Sequence, residues 1–207
     1  MKRLFSTVTF LIIVFAAFAQ TPKEIINRMG EELNKHESDG IYMITDVKVP
    51  VVGTLSTKTY SRGEKLRMET QTMGIDVIIF EDEETTWTYN SKTNKVVIEK
   101  LSAGNKSESE GDMELFDNIT DGYDVTLDKE TGDAWYFSLK KQKTNKEKDA
   151  PKKIDLVVAK GTYLPKALSA KMSGLTVTMR DFAFGVSEKK VTFNAADFPG
   201  VVIEDKR

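Results

Sequence analysis

The sequence of 207 residues has no cysteine and only one histidine, His36. Because no disulfide can form, the fold must be held together by its hydrophobic core alone. A lipid anchor on the protein itself is also excluded, since a bacterial lipoprotein carries that anchor on a cysteine at its mature N-terminus. The zinc sites that proteins usually build from cysteine and histidine are unavailable as well.

Other catalytic signatures are missing too. A serine triad would need His36 as its base, but no serine stands in a G-x-S-x-G turn. There is no glycine-rich phosphate loop. The densest acidic groups, 81–84 and 108–114, fall in predicted turns, and neither has the spacing of a calcium-binding loop. We therefore expect a protein that is not an enzyme, with no catalytic residue, no metal site and no cofactor.

The apolar run of residues 10–18 is too short for a membrane-spanning helix, which needs about 20 apolar residues. It follows a basic start and ends in the motif Ala-Phe-Ala, which is typical of a secretory signal peptide cleaved after Ala19. We expect residues 1–19 to be that signal peptide and residues 20–207 to form a single domain in the periplasm. Loss of the two basic residues in the signal changes the formal net charge from −2 to −4. That charge is too small to predict nucleic-acid binding.

The mature chain is predicted to open with an amphipathic helix. Thr21 can cap it, Pro22 suits its first position, and Glu24 completes a capping box. Four apolar residues then recur at helical spacing and need an apolar surface to cover; they are Ile25, Ile26, Met29 and Leu33.

From Ile41 onward the apolar period changes to two, with short segments rich in β-branched and aromatic residues between turns. Closely spaced strands of this kind predict an antiparallel meander, because parallel strands need long crossovers. We count about eleven strands in all, the last of them KVTFNAADFPGVVIED from Lys190. A polar stretch from Ser102 to Asp124 interrupts them, and a short internal helix is predicted there around Met113, Leu115 and Phe116. The first strand predicted after this stretch is AWYFSLKK.

The segment KKQKTNKEKDAPKK, Lys140 to Lys153, carries seven lysines. Charge runs of this kind usually stay in solvent, which favours a long, mobile hairpin loop. The alternative is a basic finger that touches anionic lipid headgroups or a partner.

Several strands carry large apolar residues on more than one face. In IDVIIFED, residues 75–82, both faces are partly apolar, and Trp87 and Tyr89 share a face in the next strand. One interpretation is a closed, filled barrel. The other is a curved, incomplete barrel whose cavity holds a lipid tail. The pattern alone leaves both open.

The order of elements resembles the LolA-like periplasmic carriers of outer-membrane lipoproteins. The similarity is carried by YSRGEKLRM, by DVIIFEDEETTWTYNSKTNKVVIEKL with its Trp-x-Tyr strand, and by the tail KVTFNAADFPGVVIEDKR. The chain departs from the family in having Gly63 where proline is usual, in a short segment 111–118, and in the lysine-rich insertion.

This resemblance implies a mainly β, α+β fold. A curved antiparallel sheet would form an unclosed half-barrel covered by the N-terminal helix and a short lid helix. It also implies a periplasmic carrier that binds the acyl chains of lipoproteins and moves them toward the outer membrane. Its partners would be an acylated lipoprotein or other lipid, an inner-membrane exporter and an outer-membrane acceptor. We expect a monomer that binds no nucleic acid.

By the same resemblance, Arg62 occupies the place of the lid-locking arginine and would bond to lid backbone carbonyls, with Leu115 and Phe116 on the lid. Strand alternation adds the candidate cavity residues Met43, Leu66, Met68, Ile78, Phe80, Trp87, Tyr89 and Phe137. The alternative for each of them is an ordinary position in a hydrophobic core. The competing interpretations are a lipid-binding envelope sensor or general lipid binder on the same fold, the outer-membrane acceptor, a hydrolase, and a β-protein with a filled core. The acceptor is itself a lipoprotein, so the absence of cysteine argues against it.

Overall fold

The computed structural model of the protein describes residues 20–51, 53–101, 116, 118–172 and 174–207. The predicted signal peptide, and the predicted internal helix around Met113 and Leu115, lie outside these residues. In the described part, two helices and twelve strands follow one another. They are α1 (Pro22–Asn34), β1 (Ile41–Val49), β2 (Gly53–Arg62), β3 (Lys65–Thr72), β4 (Ile75–Glu81), β5 (Thr85–Asn90), β6 (Lys95–Lys100), β7 (Tyr123–Glu130), β8 (Ala134–Lys141), β9 (Lys153–Ala159), β10 (Pro165–Met172), β11 (Leu175–Phe184), α2 (Glu188–Val191) and β12 (Val202–Asp205).

All twelve strands belong to one sheet, in the order β12-β6-β5-β4-β3-β2-β1-β11-β10-β9-β8-β7. Two antiparallel meanders, β1–β6 and β7–β11, are joined where β1 pairs with β11. The last strand, β12, runs parallel to β6. Within the described residues the edge strands β12 and β7 do not meet, so the curved sheet is an unclosed half-barrel. The prediction of a mainly β, antiparallel half-barrel is confirmed.

The first helix begins as predicted. The Thr21 hydroxyl accepts a hydrogen bond from the backbone N–H of Glu24 at 3.3 Å, and the Glu24 carboxylate accepts one from the Thr21 N–H at 2.7 Å. This reciprocal pair satisfies two backbone donors that the helix itself cannot bond. The buried residues of α1 are the four that recur at helical spacing: Ile25, Ile26, Met29 and Leu33.

These four residues pack on β7–β10 and form the main hydrophobic core. Met29 and Leu33 meet a layer of buried side chains that stand on neighbouring strands. That layer includes Phe137, Leu139, Leu156, Val158 and Leu168. Each buried methylene contributes about 0.8 kcal/mol, so this half of the sheet holds the helix in place without a disulfide.

The strands differ from the predicted ones in two segments of the chain. Strand β7, YDVTLDKE, was not predicted, because most of its residues are polar and exposed and it lies at the edge of the sheet. The C-terminal segment was predicted as one strand from Lys190. It instead forms α2, a 3-10 turn at Ala195–Asp197, and the short strand β12.

The lysine-rich segment joins β8 to β9 as a loop over residues 142–152. The Tyr123 hydroxyl donates to the Pro151 carbonyl at 2.9 Å, and the Gln142 amide donates to the Asp124 carboxylate at 2.7 Å. Both ends of the loop are therefore tied to the start of β7. Its predicted mobility stays a prediction.

None of the helices in the described residues is long and apolar enough to cross a membrane.

Two glycines, one after α1 and one inside it, test how closely the backbone packs in this region. Gly40 has a φ of +74°, and a Cβ there would lie 2.6 Å from the Ser61 carbonyl oxygen. Gly40→Ala should therefore lower the free energy of unfolding by about 2 kcal/mol or more, since both strain and overlap are added. The measurement is urea unfolding followed by circular dichroism.

Gly30 is the matched control. It lies inside α1, and a Cβ there would meet nothing within 4 Å. Gly30→Ala should raise stability by about 0.5–1 kcal/mol, because alanine loses less backbone entropy in a helix than glycine. Equal shifts of the same sign in the two variants would contradict the packing described at Gly40.

Candidate functional site

The register of the strands defines two faces of the sheet, because directly paired residues of antiparallel strands point to the same side. Phe137, Leu156 and Leu168 are paired in turn and lie beneath α1. We call their side the inner face. The same row continues from Leu168 through β11, β1, β2 and β3 to β4, as Met179, Thr45, Thr57, Thr70 and Val77. The other side is the outer face.

The main core fills only part of the inner face. It covers β7–β10, whereas most side chains farther along the sheet are only half-buried. We call this second region the open inner patch. It consists of Thr45, Val47, Leu55, Thr57, Met68, Thr70, Val77, Ile79, Val177 and Met179.

The open inner patch is apolar because charge is segregated between the two faces. All seven charged residues of β1, β2 and β3 stand at outer positions of the described register. They are Asp46, Lys48, Lys58, Arg62, Lys65, Arg67 and Glu69. The inner positions of the same strands carry aliphatic residues, methionine, threonine, one serine and one glycine. A surface of this composition suits the hydrocarbon part of a ligand.

The threonines of the patch present methyl groups as well as hydroxyls. Thr57 Oγ1 and Thr70 Oγ1 lie 2.8 Å apart and form a hydrogen bond across β2 and β3. This bond satisfies part of their hydrogen-bonding capacity, which lowers the cost of covering them with an apolar chain. Met68 and Met179 add flexible thioethers that adapt to ligands of different shape. Sequence reasoning selected Met68 but missed Met179 and the threonines.

Four of the predicted cavity residues lie on the outer face and not with the other four. Phe80 pairs with Trp87 and with Arg67, and Ile78 pairs with Tyr89 and with Glu69. The aromatic rings of this group contact Phe193 and Phe198. Both lie in the C-terminal segment, which runs from Val186 through α2 to β12. The ring centroids lie 5.7 Å apart for Phe80–Phe193, 5.8 Å for Trp87–Phe193 and 4.7 Å for Tyr89–Phe198.

The C-terminal segment therefore covers the aromatic ladder of β4 and β5. The ladder builds a second, smaller hydrophobic core on the outer face, and it is not continuous with the open inner patch. The strand register places its rings beneath residues of the same chain, and their predicted part in a lipid cavity stays a prediction.

The other four predicted cavity residues do lie on the inner face. Met43 and Leu66 are buried, Met68 belongs to the open inner patch, and Phe137 is buried in the core beneath α1. Their contact with a lipid stays a prediction.

Arg62 donates hydrogen bonds to the backbone carbonyls of Asp39, at 3.1 Å, and of Val186, at 2.6 Å. Neither acceptor belongs to the predicted lid around Leu115 and Phe116, so the lid-locking role of Arg62 stays a prediction. The Glu188 carboxylate lies 4.0 Å from its Nε. Arg62 thus joins the turn after α1 to the start of the C-terminal segment. Of the two predicted lid residues, Leu115 lies outside the described residues. Phe116 is buried and meets Phe182 edge-on, with ring centroids 5.6 Å apart.

His36 and the acidic turn have structural partners. His36 Nδ1 lies 2.8 Å from an Asp39 carboxylate oxygen, and its ring stacks on Phe184 at 4.6 Å. Asp82 accepts hydrogen bonds from the backbone N–H groups of Glu84 and Thr85 and so closes the β4–β5 turn. In the described part of the chain, no group of three or more His, Asp or Glu side chains is placed to hold a metal ion.

No family model matches the sequence, and no curated protein matches it. Solved structures do match. An uncharacterized conserved protein from Thermus thermophilus is 15% identical with a TM-score of 0.46, over 90% of this chain and 100% of that one. A LolA superfamily protein from Nitrosomonas europaea is 13% identical with a TM-score of 0.34, over 84% and 99%. The lipoprotein LppX from Mycobacterium tuberculosis is 9% identical with a TM-score of 0.51, over 78% and 94%.

Of these three structures, LppX has the highest TM-score, and at its low identity the match shows a shared fold alone. The chain has a LolA-like fold. This agrees with the family resemblance of the sequence and with the unclosed sheet that α1 partly covers.

An ion pair between Arg180 and Asp46 on the outer face links strands whose inner side forms the patch. The Arg180 Nε of β11 donates to the Asp46 carboxylate of β1 at 2.7 Å, and the Ser56 hydroxyl of β2 donates to the same carboxylate at 2.5 Å. These two hydrogen bonds, that of Arg180 foremost, hold the pKa of Asp46 below its ordinary value. Because the folded pKa is lowered, the stabilisation is present above the unfolded pKa and is lost as pH falls through the folded pKa.

Asp46→Asn should lower the free energy of unfolding near neutral pH by about 1 kcal/mol, since the pair is partly exposed. The difference from the native protein should vanish once the pH falls below the lowered pKa of Asp46. Urea titrations at neutral and at acid pH measure both values. Asp181→Asn is the matched control, because Asp181 contacts the same guanidinium from an exposed position. A difference for Asp46→Asn that persists undiminished in acid would show that the ionised carboxylate is not its source.

Proposed function

We propose that the protein binds an acyl chain on the open inner patch and carries acylated molecules between membranes of the cell envelope. Segregation of charge in β1–β3 is the observation that supports the proposal most directly. Three neighbouring strands keep every charged residue on one face and leave the other face apolar and half-buried. Strands that needed only to be soluble would not have to leave that much apolar surface half-buried.

The energetics suit a carrier that must also release its cargo. Burying a chain of ~16 carbons is worth more than ~10 kcal/mol gross, at about 0.8 kcal/mol per methylene. Part of this is offset by ordering the chain and by covering the threonine hydroxyls. A half-covered patch of threonine, valine and methionine therefore gives weaker and more reversible binding than a closed aromatic pocket would.

The proposed cargo is the acyl part of a lipoprotein, received from an inner-membrane exporter and passed to an outer-membrane acceptor after export of the chain to the periplasm. The family resemblance of the sequence supports these partners. In this proposal Arg62 sets the position of α1 beside the patch, through the Asp39 carbonyl, and the segment that contains Leu115 and Phe116 gates access.

A release assay tests the carrier role. Inner-membrane vesicles that hold a labelled triacylated lipoprotein and its energised exporter are incubated with the Gln20–Arg207 protein. Label that co-migrates with the protein in the soluble fraction is the expected result. If the label stays on the vesicles while a fluorescent fatty acid still binds, the protein is a lipid binder and not a lipoprotein carrier.

Two adjacent residues of β4 test the binding surface. Val77 points to the open inner patch, whereas Ile78 points to the outer face beside Glu69, and both are half-buried. Val77→Lys should weaken binding of a fluorescent fatty acid about tenfold or more, because a charge then stands where the chain would lie. Ile78→Lys should leave the affinity unchanged. Thermal melts confirm that both variants are folded. If Ile78→Lys weakens binding as much as Val77→Lys, the chain does not bind on the inner face.

A further inference from the structure

The hairpin turns of the sheet gather at two opposite edges. Strands β1, β3, β5, β8 and β10 all run toward one edge, because each is antiparallel to its neighbours in the ladder. That edge carries the β1–β2, β3–β4, β5–β6 and β10–β11 turns and the lysine-rich β8–β9 loop. We call it the basic edge. Strands β2, β4, β9 and β11 run toward the opposite edge.

Large apolar side chains stand exposed at the tips of the basic edge. Val51 in the β1–β2 turn has a relative exposure of 107%, and Met73 in the β3–β4 turn has one of 98%. Met172, at the end of β10, is exposed as well, at 43%. Single exposed apolar residues are common, but here three hairpins of the same edge carry one each at or beside the turn.

Folding does not favour Val51 and Met73 at these positions. Val51 has a φ of 71° and Met73 a φ of 50°, in the left-handed region that glycine and asparagine adopt most easily. A β-branched residue in this region is conformationally costly, and neither side chain recovers the cost by burial. Their presence is therefore better explained by contact with something outside the molecule.

The same edge is strongly basic. The segment from Lys140 to Lys153 holds seven lysines against two acids, Glu147 and Asp149. Lys48, Lys92 and Lys171 extend the positive charge across the neighbouring hairpins. The opposite edge is mixed in sign by contrast, since Glu130 of β7 and Asp133 of the β7–β8 turn form ion pairs there with Lys160 and Lys166.

We propose that the basic edge docks on an anionic lipid bilayer, with Val51 and Met73 entering the headgroup region and the lysines of the β8–β9 loop lying on the surface. A cleft of 730 Å³ opens at this edge between the loop and the β10–β11 hairpin. Lys148, Lys152, Lys171 and Met172 are among the residues that line it. A bilayer matches this combination of basic and apolar groups, because an anionic leaflet attracts the lysines and the apolar tips gain burial among the headgroups.

Docking at this edge would also bring the open inner patch to the membrane. Val47 and Leu55 are paired close to the β1–β2 turn, at the end of the patch nearest Val51. An acyl chain that leaves the bilayer at Val51 would reach the patch directly. The docking goes beyond the acyl-carrier proposal and does not depend on it, because it rests on the exposed tips and the lysines alone.

Vesicle flotation with the Gln20–Arg207 protein tests the docking. The protein should float with vesicles of equal parts phosphatidylcholine and phosphatidylglycerol, and should stay behind with vesicles of phosphatidylcholine alone. Binding should weaken as salt rises, since charges are screened within about 8 Å at physiological ionic strength. Equal flotation with both vesicles, or none with either, would overturn the proposal.

Lysine reversals locate the charge. The triple variant Lys143→Glu, Lys148→Glu and Lys152→Glu should lower vesicle affinity about tenfold or more. The matched control is the triple variant Lys23→Glu, Lys129→Glu and Lys189→Glu. It makes the same change in net charge away from the basic edge. If both triple variants lose affinity equally, binding follows net charge and the basic edge is not the docking site.

Asparagine substitutions test the apolar tips. Val51→Asn with Met73→Asn removes both side chains but suits the positive φ of each turn, so the variant should melt no lower than the native protein. Its vesicle affinity should fall about fivefold or more, because two apolar side chains that enter the headgroup region are lost. Fatty-acid binding, measured in parallel, should be unchanged in every one of these variants. An asparagine variant that binds vesicles as well as the native protein does would contradict insertion of the tips.

Discussion

The alternation of side chains across the sheet is the constraint on which the rest of the structure depends. Because successive residues of a strand point to opposite faces, β1, β2 and β3 can send all their charges outward and keep an apolar inner face. A shift of register by one residue would exchange the two faces. The ion pair between Asp46 and Arg180, and the Ser56 hydroxyl that joins it, fix three neighbouring strands in the register that keeps the faces separate.

The two faces are then covered unequally. On the inner face, α1 covers the half of the sheet that carries Phe137 and Leu156, and leaves the patch around Thr57 and Val177 half-buried. On the outer face, Phe193 and Phe198 of the C-terminal segment pack on the aromatic ladder, in which Phe80 is buried and Trp87 and Tyr89 are half-buried. The large aromatic residues thus contribute to stability on the outer face, whereas the patch on the inner face consists of smaller or more flexible side chains. Arg62 links the elements that cover the two faces. Its guanidinium donates hydrogen bonds to a carbonyl of the turn after α1 and to one at the start of the C-terminal segment.

Local signals in the sequence were enough to predict α1, its capping box and most of the strands. Thr21, Glu24 and the apolar spacing from Ile25 to Leu33 act over a few residues and need no knowledge of the fold. The contact of Trp87 and Tyr89 with the C-terminal segment was not predicted, because alternation shows which residues share a face and not which face a distant segment covers. Phe193 and Phe198 lie far away in the chain, in a segment whose β-branched residues suggested a strand. The charged residues of β1–β3 contained a signal that could have separated the two faces. All of them alternate onto one side, which marks the other side of these strands as apolar.

Photo-crosslinking with a fatty acid that carries a diazirine near its methyl end tests the central claim most directly. After illumination of the complex, peptide mass spectrometry identifies the residues that carry the label. If the acyl chain binds on the inner face, adducts should form on residues such as Val47, Met68 and Val177. Adducts confined to the outer face, around Ile78 or beside Phe193 and Phe198, would contradict it.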